Sequence, residues 1–111
     1  MTSRSLTAVL TTALTLLSTP LYANDKTYTV TIKDHRFDPA KITIPADTRV
    51  KLVVKNLDAT AEEFESYELN REKIIAGGKE AIVYIGPVPA GRYPFFGEFN
   101  PDTAQGVIIA K

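Results

Sequence analysis

Oxygen donors dominate the residues of this chain that could do chemistry. Between Asp58 and Glu72 lie Asp58, Glu62, Glu63, Glu65, Glu68 and Glu72, opposed by Arg71 alone. A second group stands in "EFNPDTAQG", residues 98–106, where Glu98, Asn100, Asp102 and Gln105 surround Pro101. His35 is the only histidine, Met1 the only methionine, and cysteine is absent. Carboxylate and amide oxygens are hard ligands, better suited to Fe(III), Mn(II), Ca(II) or Mg(II) than to Cu(I). Hydrolytic chemistry has little support: no thiol is present, Ser66 has no histidine partner fixed by spacing, and no glycine loop cradles a phosphate. Acidic runs also occur as plain solvated surface. On that reading Glu62, Glu65 and Glu68 are exposed, and none of them alone matters much to folding.

The segment ahead of these residues reads as a targeting sequence. Arg4 supplies a short basic start, Ser5 to Ser18 is uncharged and contains "LTAVLTTALTLL", and "STPLYA" ends on the small residue Ala23. The apolar run is short for a membrane span of about 20 residues. The expected organisation is therefore a signal peptide over residues 1–23 and one exported, periplasmic domain over residues 24–111, with no membrane span in the mature chain. That domain carries 12 basic and 13 acidic residues, so it has no electrostatic case for nucleic acid. With no disulfide available, its stability must rest on a hydrophobic core, with or without a ligand.

Alternation by two is the main local signal. "TYTVTIKD" places Tyr28, Val30 and Ile32 on one face, and "RVKLVVKN" places Val50, Leu52 and Val54 on one face. "EAIVYIG" and "QGVIIAK" add β-branched runs, while "FDP", "IPAD", "AGGKE" and "PVPAGRY" supply turns. About seven short strands without a helical period predict an all-β, Greek-key antiparallel sandwich. "ATAEEFESYELN" is ambiguous: its length permits a helical turn, yet Phe64, Tyr67 and Leu69 form no helical stripe.

"FDPAKITIPADTRVKLVVKNLD" resembles the opening of small cupredoxins, through Phe37, Pro39, Ile42, Ile44, Pro45, Ala46, Val50, Leu52, Val54, Asn56 and Asp58. "PAGRYPFFGEFNPDTAQG" resembles the final hairpin and ligand loop of the same family. Asp47 stands where the family usually has glycine, which predicts a left-handed backbone there. The resemblance implies a cupredoxin-like fold with a metal pole at one end. It places the first imidazole position at Glu63, the thiolate position at Gly97, the second imidazole position at Asn100 and the axial position near Thr103 or Gln105. A type 1 copper centre needs a thiolate, and this chain has none.

Glu63 followed by "FES" and "REK" is similar to EfeO-type cupredoxin-like domains. The whole string is similar to small periplasmic cupredoxin-like proteins that accompany ferrous-iron permeases. That resemblance implies an iron or copper ion, handled or oxidised beside an iron permease and other periplasmic components of the same system. Candidate ligands are Glu63, Glu98, Asp102 and His35, with Asn100, Gln105 and Tyr67 as further oxygen donors. Each has an ordinary alternative: a solvated carboxylate at Glu63, a turn at Asp102, a surface histidine at His35, core packing at Tyr67. The other functional reading is a protein-interaction module that has lost its cofactor and docks a partner through the acidic segment.

Overall fold

The computed structural model describes residues 25–111, and the expected signal peptide lies outside them. Nine strands follow in order: β1 (Lys26–Lys33), β2 (Arg36–Asp38), β3 (Lys41–Ile44), β4 (Val50–Asn56), β5 (Glu62–Ser66), β6 (Arg71–Ile75), β7 (Glu80–Ile85), β8 (Gly91–Gly97) and β9 (Gln105–Ala110). They form two sheets, of order β2-β1-β4-β7 and β3-β9-β8-β5-β6. No described residue is helical, and no helix among them is long and apolar enough to cross a membrane.

The strands alternate because each sheet buries one face. Val30 and Ile32 of β1 and Val50, Leu52 and Val54 of β4 are buried in the layer between the sheets. Phe37, Phe64 and Phe95 interlock at the centre: the ring centroids of Phe37 and Phe64 each lie 4.9 Å from that of Phe95. Two pairings depart from the antiparallel expectation. β1 runs parallel to β4 and β3 parallel to β9. The ambiguous segment is strand, turn and strand: β5 and β6 form an antiparallel hairpin that pairs Ser66 with Arg71. Asp47 has φ 57°, the left-handed conformation expected of it.

One end of the sandwich is organised by side chains that bond the backbone. Asn56, fully buried at the end of β4, donates to the carbonyls of Thr60 (2.8 Å) and Ile75 (3.0 Å) and accepts the Asp58 N–H (3.0 Å). This fixes the 57–61 turn that delivers β5. Asp58 in turn accepts the N–H groups of Asp34 (2.7 Å) and His35 (2.9 Å), two residues at positive φ in the β1–β2 turn. Thr103 donates its hydroxyl to the His35 carbonyl (2.6 Å), tying that turn to the β8–β9 loop.

Replacing Phe64 with alanine empties the centre of the aromatic cluster. Loss of a buried aromatic costs about 3–5 kcal/mol, so urea denaturation of Phe64→Ala should show a large drop in midpoint with an unchanged slope.

Candidate functional site

The inward face of β5 carries Glu62, Phe64 and Ser66, and its outward face carries Glu63 and Glu65. Glu62 is 1% exposed, which corrects the expectation that it is a solvated surface residue. Phe64 must point into the core, and period two then turns Glu62 inward with it. Its carboxylate is received by three donors. Oε1 accepts the N–H of Glu63 (2.9 Å) and of Phe99 (2.8 Å), and Oε2 accepts the side-chain amide of Asn100 (2.9 Å). A buried polar group without partners is costly, and these bonds satisfy it.

The β8–β9 loop wraps this carboxylate. Gly97 N–H donates to Ala104 O (2.8 Å), Ala104 N–H to Asn100 O (2.9 Å), and Gln105 Nε2 to Pro101 O (3.0 Å). Gly97 has no room for a side chain: a Cβ there would lie 2.6 Å from Glu62 Cδ, from Glu62 Oε2 and from the Ala104 methyl. Glu62 therefore meets Gly97 and Asn100, two positions that the resemblance assigns to metal ligands, while Glu63 faces away from them.

On the outward face lies a second group. Oxygens of Glu63, Glu65 and Glu72 lie within 4.8 Å of one another, the only set of three or more potential ligands so close among the described residues. The hairpin register places Glu65 directly opposite Glu72, an unfavourable like-charge pairing. Desolvation first, then the charges of Glu72, Glu98 and Glu62, raises the pKa of Glu63 above its ordinary value. Glu65 is raised by desolvation and by Glu72, Glu63 and Glu98. Glu98 adjoins the group, its N–H bonded to the Glu63 carbonyl (2.9 Å). Glu65 and Glu72 were not among the sequence candidates; the hairpin register, once β5 and β6 are recognised as strands, identifies both.

The remaining candidates stand apart from this group. His35 is half exposed, with Nδ1 3.5 Å from Asp58 Oδ2. The Asp58 carboxyl is held below its ordinary value, mainly by the His35 backbone N–H. Asp102 is exposed on the loop turn, and the Gln105 amide is spent on Pro101. Tyr67 is 72% exposed, contrary to core packing, and sets its ring edge-on to Phe96 at 5.4 Å between centroids. Thus Glu63, Glu98, Asp102 and His35 do not converge on one ion as the sequence suggested.

The chain belongs to the family of cupredoxin-like domains, whose sequence model matches residues 6–110. It is 45% identical over 82 residues to "Uncharacterized protein RP394" of Rickettsia prowazekii (strain Madrid E), covering 74% of this chain and 66% of that protein. The chain thus spans just under two thirds of that relative. Among solved structures it is similar to auracyanin A, a "blue" copper protein from Chloroflexus aurantiacus, with a TM-score of 0.68 at 13% identity, covering 79% of this chain and 100% of that one. It is also similar to the metal-binding domain of the Streptococcus pneumoniae D39 Cu(I)-exporting P-type ATPase CopA, solved with Cu(I): TM-score 0.65, 14% identity, 77% and 84% covered. These structural likenesses establish the fold. A type 1 copper centre does not fit this chain: cysteine is absent, and the Glu62 carboxylate occupies the space a side chain at position 97 would need.

The two sets of acids give opposite pH dependences. Folded Glu63 and Glu65 titrate above the ordinary 4.5, so between that value and their raised values the folded state binds more protons, and stability rises as pH falls. Asp58 titrates below the ordinary 3.8; its contribution is present above that value and is lost as pH falls through the lowered one. Thermal midpoints at low ionic strength should therefore rise on acidification through the glutamate range and then fall. In Glu65→Gln the rise should shrink and the midpoint at neutral pH should increase.

Proposed function

We propose that this chain is an exported metal-handling accessory of an iron-uptake system, binding its cation on the outward face of the β5–β6 hairpin. The observation that carries this reading is the convergence of Glu63, Glu65 and Glu72 within 4.8 Å. Oxygens spaced so closely can all reach one ion at roughly 2.0–2.6 Å. Bound there, a cation offsets the like-charge repulsion between Glu65 and Glu72. Three carboxylates favour Fe(III) over Fe(II), since the more highly charged ion gains more from anionic oxygen. Such a site binds ferrous iron weakly and ferric iron more strongly, and its open coordination suits capture and hand-over to a permease. Copper(II) is the other cation that carboxylates would take, without the intense colour of a thiolate-bound centre.

A docking role is the second reading. Ile74 is 59% exposed opposite Glu63, Phe96 of β8 stands opposite Glu65, and Tyr67 sets its ring against Phe96. Apolar side chains among charges are also the composition of a surface that receives a partner.

Titration of the metal-stripped protein with Fe(II), Fe(III) citrate, Cu(II) and Ca(II) tests the first reading. Fe(III) should bind most tightly, and Glu65→Gln should weaken it roughly tenfold or more, since affinity follows the number of charged ligands. A parent that binds none of these ions, or a Glu65→Gln variant that binds as the parent does, would overturn it.

A further inference from the structure

The end of the sandwich where copper ligands are expected is filled, and what fills it is an anion. Two backbone N–H groups and one side-chain amide converge on the Glu62 carboxylate from β5 and from the β8–β9 loop. Donors converging from separate segments make a receptor, since each would be orphaned if the carboxylate left. Glu62 is 1% exposed, so its oxygens take these three bonds in place of hydration.

We infer that this pole is a carboxylate receptor occupied by the chain's own Glu62, which joins β5 to the β8–β9 loop in place of a metal ion. A metal ion would bring positive charge to a site lined by N–H donors and would have to displace them from the carboxylate. Glycine at 97 completes the arrangement, because any larger residue meets the Glu62 carboxylate and the Ala104 methyl. The adjoining loop is consequently ordered by hydrogen bonds together with the buried Ala104 methyl. Phe99 and Asn100 are held directly, Thr103 is held through the His35 carbonyl, and Gln105 is held through Pro101. The proposal concerns only the pole and is independent of cation binding on the outer face.

Truncation with chemical rescue provides the test. Glu62→Ala removes Cγ and the carboxylate, the same heavy atoms as acetate, and leaves the three donors unpaired. Its urea midpoint should fall in chloride and recover saturably in acetate at equal ionic strength, with formate less effective because it lacks the methyl. In the parent, acetate and chloride should act alike. If acetate and chloride act alike on Glu62→Ala, or if Cu(II) or Zn(II) rescues it better than acetate does, the inference is overturned. Should Glu62→Ala not fold, Asn100→Ala provides the second arm, because Asn100 lies at a partly exposed loop position. Loss of a hydrogen bond to a charged group should speed hydrogen exchange at the Phe99 amide roughly tenfold, with Val54 in β4 unchanged. An unchanged Phe99 rate would overturn the inference as well.

Discussion

A carboxylate withdrawn from water costs several kcal/mol unless donors replace its hydration, and one end of this sandwich is arranged to meet that requirement at Glu62. The strand that carries Glu62 also carries Phe64, so the packing of the aromatic cluster decides that the carboxylate goes inward. The β8–β9 loop then has to present an N–H from Phe99 and an amide from Asn100 at the right place. Gly97 has to stay without a side chain. Beyond them, Asn56 shapes the turn that leads into β5, and Asp58 holds the β1–β2 turn against which Thr103 closes. Three segments distant in sequence, residues 34–35, 56–63 and 97–105, are thereby held together by hydrogen bonds that side chains make.

The same strand separates two chemistries by its pleat. Glu62 faces donors, has its charge satisfied and is closed to ligands. Glu63 and Glu65, one and three residues further along the chain, face outward and gather with Glu72 where their charges repel. A cupredoxin sandwich ordinarily reads as a holder of copper at its pole. In this chain the pole contributes rigidity, while the unsatisfied negative charge lies on the flank of the second sheet.

Much of the scaffold was legible in the sequence because β1 and β4 alternate cleanly: one face of each is buried, and period two records it. Asp47 was legible for a local reason, since its turn demands a conformation that few side chains tolerate. The region that matters most was harder to read. Glu62 and Glu63 are adjacent identical residues, and an inward glutamate breaks the hydrophobic alternation that would have marked β5 as a strand. Choosing between them required anchoring the count on Phe64, and the choice of Glu63 as the pole residue missed by one position. That slip moves a side chain to the opposite face of the sheet. Two of the three partners of Glu62 come from a loop more than thirty residues away, and Glu72 meets Glu65 through a hairpin whose turn could not be told from a helical one. Neither association is encoded in local spacing.

The account stands most directly on the claim that the pole is ordered without metal. Amide hydrogen exchange across residues 97–105 of the chelator-treated protein, repeated after addition of Cu(II), Zn(II) and Fe(III), measures this. The Phe99 amide should be protected in the stripped protein to nearly the level of the core strands, and none of the ions should increase that protection beyond the gain it brings to the core strands themselves. A loop that exchanges freely in the stripped protein and becomes protected when one of these ions is added would contradict the account.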